Sequence, residues 1–426
     1  MTAAAKPASV PYFTKHDPRF PVRYHEFTER PLSDSCWSVQ TGPDGRIYIA
    51  CCVEHTGGQT VTVVRYDAAG DRLEYLFDMD EVTGDLRDSG RATQCKIHYS
   101  FAPDAERGLL YAATHLSGPP KGEHGYNPWA AWHDPVRAFR GAYLSVYDTR
   151  RERIADTALM IPKEGCRCLC FDPRRRRLYA LTYPRDHFVW WDLQRRELHD
   201  LGRIGSVNSQ CIFSDARGRM YTTSDQGRFV RYDPEKERLE DLPLTIACGP
   251  FQSPWHGVIY DAAADPSDGA VYLVPWKDHP HLTRYWPEDG PFGRLENLGP
   301  LTCERLPHFP VSVNADHVGG LVFGRDGFLY YVKSSFRWKD PHANRVDYAG
   351  AVAVLCRFDP LAKTHEELCT LALGAGEHRY ISRGACDADG HFIFGKIMAR
   401  PAGVYRVENR DTKIVRANPT CLRLWG

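Results

Sequence analysis

Apolar and polar positions alternate along this chain in short runs, and turns rich in Asp, Gly and charged residues join the runs in pairs. The unit recurs as "VQTGPDGRIYIACC" (39–52), "SFAPDAERGLLYAATH" (100–115), "CLCFDPRRRRLYALTY" (168–183) and "IFSDARGRMYTTSD" (212–225). It continues as "VIYDAAADPSDGAVYLVPW" (258–276), "LVFGRDGFLYYVKS" (321–334) and "GACDADGHFIFGKI" (384–397). A period of two with a tight polar turn is the pattern of a β-hairpin. Most copies are followed by a third run with a "YD"-type end, as in "VVRYDAAGDRLEYL" (63–76) and "FVRYDPEKERLEDL" (229–242), and then by a fourth after the next turn. No stretch sustains a 3.6-residue apolar period, so little helix is expected.

Seven copies of a four-strand unit predict an all-β chain folded as a seven-bladed β-propeller, with four antiparallel strands per blade. Residues 1–426 then form a single domain. The ring is expected to close by pairing "VRYHEFTE" (22–29), within the N-terminal segment 1–30, or C-terminal "CLRLWG" (421–426) into the last blade. Two insertions, 117–142 and 334–351, are rich in Gly, Pro, aromatic and charged residues. They read as long loops walling a site, since function concentrates on loops held by a rigid scaffold.

The repeat also serves as a ruler. The second run of six copies carries a Tyr: Tyr48, Tyr111, Tyr179, Tyr221, Tyr272 and Tyr330, with Ile393 in the seventh. Thirteen positions upstream stand Ser35, His98, Cys166, Asn208, His317 and Tyr380, and a longer fifth turn brings His256 to the same level. Four positions downstream stand Cys52, His115, Tyr183, Asp225, Trp276, Ser334 and Ile397. The start of one strand lies beside the end of its antiparallel neighbour. His98 and His115 therefore fall within cross-strand reach on one rim, and Tyr183 holds the His115 position on the next blade. The upstream column is expected to line an axial funnel, with Arg167 and Arg383 entering it.

Composition narrows the chemistry. Lys plus Arg equals Asp plus Glu, 54 each, which argues against a broad nucleic-acid binder. No run approaches a membrane helix in length, and "MTAAAKPASVPYFTKHDPRF" lacks an apolar signal region. A cytoplasmic protein without membrane or nucleic-acid partners is expected, its 14 cysteines reduced. Phosphate-loop, HExxH and GxSxG patterns are absent. So is a clear pair of carboxylates for glycoside hydrolysis. His, Tyr and Arg together suit proton abstraction beside a carboxylate, as at C5 of a uronic acid. Cations or donors must neutralise the carboxylate, a base must take the proton, and an acid must protonate the leaving oxygen.

"CKIHYSF…GLLYAATH" resembles the "KIH … LYxxTH" hairpin of seven-bladed propeller polysaccharide lyases, the ulvan lyases and their relatives. The resemblance implies that both hairpin histidines, here His98 and His115, work in one active site with a Tyr and an Arg from a neighbouring blade. At the corresponding positions the third blade holds Cys166 and Tyr183, with Arg167 and Arg185 adjacent, a departure from that family's pattern. The reading is a β-eliminating lyase acting on an acidic, uronate-containing oligosaccharide. His98 and Tyr183 form the acid–base pair, and His115 with Arg167 or Arg383 neutralises the carboxylate. Asn208, His256 and His317 are further substrate-binding candidates. No cofactor is required by this reading. The alternatives are a metal-dependent propeller enzyme, oligogalacturonate-lyase-like or lactonase-like, with a divalent ion on His256, His317 and His378, or a non-catalytic binding module.

Overall fold

The structure is a computed structural model that describes residues 15–116, 118–123, 132–206, 209–248, 257–276, 280–301, 314–340, 345–371, 381–398 and 400–417. Seven four-stranded antiparallel sheets stand in a ring, which makes the chain a seven-bladed β-propeller. The innermost strands are Ser35–Thr41, Phe101–Asp104, Gly165–Asp172, Phe213–Ser214, Ile259–Ala264, Asn314–Phe323 and Ile381–Cys386, numbered here as blades one to seven. Each pairs with the second run of its hairpin, as the repeat predicts. Helix among the described residues is limited to Met79–Thr83 and a single 3₁₀ turn at Asp225–Gly227.

Ring closure uses the N-terminal segment. Val22–Glu26 pairs with Gly403–Val407 as the outermost strand of blade seven, with Tyr24 opposite Tyr405. The first and last parts of the chain thus share one sheet. "CLRLWG" lies outside the described residues. The described part of the 334–351 segment, expected as a loop, runs instead along prolonged strands of blade six, Leu329–Asp340 and Arg345–Asp359, with Arg337 opposite Asp347. Its alternating aromatic and β-branched residues favour extended backbone.

The Tyr column and the hairpin turns hold each other. Asp215 accepts the backbone N–H groups of Arg217 and Arg219 at its turn and the Tyr221 hydroxyl at 2.8 Å. The same Tyr-to-turn-Asp bond recurs in Tyr48–Asp44, Tyr111–Asp104 and Tyr330–Asp326. The Tyr ring is buried in each case, and Asp104 and Asp326 are buried too, so these bonds satisfy groups that water does not reach. Between blades the sheets pack face to face. Val39, Ile49 and Tyr66 of blade one, for example, meet Ala385, Ile393 and Val404 of blade seven. Each such Val or Ile side chain contributes about 1.5–3 kcal/mol by leaving water.

The innermost strands are not regular. Register shifts fall between Cys36 and Val39, Cys166 and Cys168, Ile259 and Asp261, Gly319 and Val322, and Ile381 and Gly384. Blade two is looser still: Lys96 bridges His115, but the ladder resumes only at Phe101 opposite Ala112. A bulge adds an unpaired residue and re-aims its side chain. Trp37, His98, Tyr99, Arg167, Tyr260 and Arg383 all lie in these interruptions.

Replacing Asp215 by Ala is expected to destabilise the protein by about 1–3 kcal/mol, because it strands the buried Tyr221 hydroxyl and two turn amides. Tyr221→Phe should cost about 1 kcal/mol. Denaturant midpoints of the two variants would show the order; equal midpoints would remove the turn lock.

Candidate active site

His98 and His115 meet as the hairpin register predicts, with ring centroids 5.3 Å apart. They are the middle of a longer stack. Trp37 of blade one lies on His98 at 4.7 Å and 24°. Tyr183 of blade three lies on His115 at 4.9 Å and 26°, and the Arg167 guanidinium sits 4.4 Å above the Tyr183 ring. The row Trp37–His98–His115–Tyr183–Arg167 therefore crosses three blades. Its inner part is sealed, His98 being 1% and His115 0% exposed. Arg167 and Tyr183 are half-buried and form its open end.

The bulge in blade three fixes the geometry. The Arg167 carbonyl, turned out of its own ladder, accepts the Tyr99 N–H at 3.2 Å and pairs with His98 Nδ1 at 2.9 Å. A carbonyl only accepts, so Nδ1 carries the proton and Nε2 the lone pair. Burial pushes the pKa of His98 well below the usual histidine range, helped by the charges of Lys96 and Arg167. Burial does the same to His115, with Arg167 and Lys96 adding to it. Both ring nitrogens of His115 are sealed from solvent. Both imidazoles are thus neutral at physiological pH.

The two arginines differ. Arg383 is 5% exposed, forms an ion pair with fully buried Asp261, donates to the Gln210 carbonyl at 3.3 Å and covers the Tyr99 ring at 3.8 Å. It ties blades two, four, five and seven at the axis. Arg167 has no ion pair among the described residues. Its NH1 reaches Gln210 Oε1 only at 3.4 Å, and its Nε is buried without a partner. A guanidinium never gives up its charge under these conditions, so Arg167 is the one equipped to meet an anion.

Among the described residues, the upstream column is packed rather than open. Ser35, His98, Cys166 and His317 of the upstream column are all buried. The cavity beside Tyr99, Gln40 and Arg383 measures about 30 Å³, on the order of one water. The bulges cause this, by turning neighbouring side chains such as Tyr99, Tyr260 and Arg383 into the axis. His317 does not join the His98 cluster: its Nε2 meets the Ile381 carbonyl at 3.1 Å and its ring abuts Tyr260 at 4.3 Å. Asn208, His256, His378 and Tyr380 lie outside the described residues.

Two neighbours went unread in the sequence. Lys96 is buried, pairs with Glu54 at 2.8 Å and caps the Trp37 ring at 3.9 Å. Its place in the "KIH" tripeptide was the available signal. Asp34, Glu54 and His55 are the one described group with metal-ligand spacing. These donors are already engaged: Glu54 by Lys96 and by Trp37 Nε1 at 2.8 Å, Asp34 by His55 at 3.0 Å and by backbone amides. The hydrogen bond that His55 Nδ1 donates to Asp34 raises the His55 pKa, which favours a cation over a ligand. The residues fit a satisfied hydrogen-bond network better than a metal centre.

No protein-family model and no curated protein matches the sequence. Solved structures share the fold. A streptogramin B lyase superposes with a TM-score of 0.55 at 11% identity, over 91% of this chain and 98% of that one. A catalytically inactive virginiamycin B lyase from Staphylococcus aureus with Quinupristin gives 0.51 at 11% identity, over 91% and 99%. A fungal alcohol oxidase of the AA5 family, in complex with copper, gives 0.54 at 10% identity, over 91% and 75%. Such identities establish the propeller architecture alone.

Two measurements follow. Arg383→Met should destabilise by about 3–5 kcal/mol, since it leaves Asp261 buried without its counter-ion, and adding Asp261→Asn should recover part of the loss. If Arg383→Met is neutral in thermal unfolding, the tie is not structural. His98 and His115 have folded pKa values below their unfolded values, so the unfolded chain binds more protons under acid. Stability is therefore lost as pH falls below about 6.5. His115→Gln should show a shallower loss between pH 6.5 and 5 in denaturant titrations; an unchanged slope would contradict the assignment.

Proposed function

We propose that the protein is a lyase that breaks a glycosidic bond by β-elimination in an uronate-containing oligosaccharide. One observation carries the reading: an unbroken His98–His115–Tyr183 stack ends in Arg167, a guanidinium without an ion pair among the described residues. Arg167 binds the substrate carboxylate and spreads the charge that develops on it as the C5 proton leaves. His115, neutral and buried between the His98 and Tyr183 rings, holds the two in register. His98 Nε2, its orientation set by the Arg167 carbonyl, takes the proton. The electron pair of the C5–H bond forms the C4–C5 double bond, the C4–O bond breaks, and Tyr183 protonates the departing oxygen. Arg383, locked to Asp261, plays no part. The solved structures that share the fold include lyases and an oxidase, so architecture alone does not choose the reaction. The choice rests on the residues.

Incubation with a panel of glycuronans and their oligomers should generate ultraviolet absorbance from the 4,5-unsaturated product. His98→Gln and Tyr183→Phe should each slow turnover about 100- to 10,000-fold, and Arg167→Met should raise KM as well. A chelator should leave the rate unchanged. Silence with every substrate, or wild-type rates in His98→Gln, would end the proposal. Activity lost to chelator and restored by a divalent ion would replace it with the metal-dependent reading.

A further inference from the structure

Blades two and three each close with two turns on the face of the ring opposite the His98–His115 end. Neighbouring strands of a blade run antiparallel, so the first–second and third–fourth turns share that face. In each of the four turns an Asp carboxylate accepts the backbone N–H of an arginine. Asp104 takes Arg107 at 3.2 Å, Asp148 takes Arg150 at 3.0 Å, Asp172 takes Arg174 at 2.9 Å and Asp192 takes Arg195 at 2.8 Å. The acid is engaged by the turn, and the arginine side chain is left exposed.

The four turns are fastened to one another. The Thr149 N–H donates to the Gly108 carbonyl at 3.0 Å, and the Leu193 N–H donates to the Arg176 carbonyl at 3.1 Å. Arg176 reaches from blade three to Asp104 and to the Tyr111 hydroxyl of blade two. Arg150 lies across the turn that carries Arg107 and donates to the Glu106 carbonyl at 3.2 Å. The charge on this patch is one-sided. Arg151, Arg175, Arg176 and Arg196 are ion-paired and hold the turns. Arg107, Arg150, Arg174 and Arg195 have no carboxylate partner among the described residues. The exposed acids of the turns are Glu106, Glu152 and Glu197, and Glu152 is held by Arg65. The whole chain balances 54 cations against 54 anions, so the excess is local.

We propose that this face docks an acidic glycan chain, whose carboxylates meet Arg107, Arg150, Arg174 and Arg195. A guanidinium pairs with a carboxylate through two parallel hydrogen bonds. Four of them on linked, rigid turns suit a polymer with repeating charge better than a single small anion. Phosphate fits the same forks, and the choice of a uronate polymer rests on the elimination reading. A chain docked here leaves the His98–His115 stack open on the other face. It keeps further segments of the same polymer close to the stack and raises their effective concentration there.

The test is affinity electrophoresis of the full-length protein through gels that contain polygalacturonate or alginate, with methyl-esterified polygalacturonate as the uncharged control. The acidic polymers alone should retard the wild type, and added salt should release it. A variant carrying Arg107→Ser, Arg150→Ser, Arg174→Ser and Arg195→Ser should bind about ten- to hundredfold more weakly. Arg174→Glu combined with Arg195→Glu, which leaves blade two untouched, should lose a similar amount. Both variants should turn over short oligomers like the wild type, while KM for the polymer rises about tenfold and kcat is kept. A wild type that neither acidic polymer retards, or variants retarded as strongly as the wild type, would overturn the proposal. So would tighter binding of RNA or of phosphatidylserine vesicles through the same arginines. Retardation without cleavage of any substrate keeps the docking face and removes the elimination reading. Cleavage with equal retardation of the variants does the reverse.

Discussion

The bulged innermost strand is the constraint on which the rest of this molecule depends. A regular strand sends alternate side chains into the gaps between blades, where they pack and do nothing else. One extra residue breaks that alternation. In blade three it turns the Arg167 side chain out of the packing and its carbonyl toward blade two, where Tyr99 and His98 use it. In blade seven a similar irregularity delivers Arg383 to the axis, beside Asp261 of blade five. The same device also brings inner strands close. A Cβ on Gly319 of blade six would lie 2.7 Å from the Ile381 carbonyl of blade seven.

From one device come two outcomes, separated by electrostatics. At the axis the charge is matched: Arg383 has a buried carboxylate, a backbone carbonyl and an aromatic face. Removing a member costs much and exposing it gains nothing, so this is structure. At the rim the charge is unmatched. Arg167 has one long hydrogen bond and an aromatic face, and the neutral imidazoles beside it are held from protonation by burial and by neighbouring cations. A charge left without a partner in a half-buried place is costly unless a ligand supplies one. That asymmetry, more than the presence of histidines, is what supports the rim as the site in the proposed reading.

Much of this was legible in the residues. Seven hairpins with a Tyr column fixed the blade count, and the spacing from Tyr111 placed His98 and His115 side by side. Tyr183 fell on the next blade by the same measure. The ruler assumed uniform register, and there it failed. It predicted a funnel lined by Ser35, His98, Cys166, Asn208, His256, His317 and Tyr380; the described members of that column are buried, and Tyr99 and Arg383 stand at the axis instead. A bulge leaves no mark in the alternation of a fully buried strand, because both faces are apolar. The difference between Arg167 and Arg383 was equally hidden, since it depends on Asp261, far away in sequence and on another blade.

The most direct test of the central claim is a crystal structure with a bound 4,5-unsaturated uronate disaccharide. The account predicts the sugar carboxylate against the Arg167 guanidinium at the Tyr183 edge of the stack, with the ring directed toward His98 and His115. A carboxylate bound instead at Asp34, Glu54 and His55 through a metal ion, or a disaccharide seated on another face of the ring with Arg167 untouched, would contradict it.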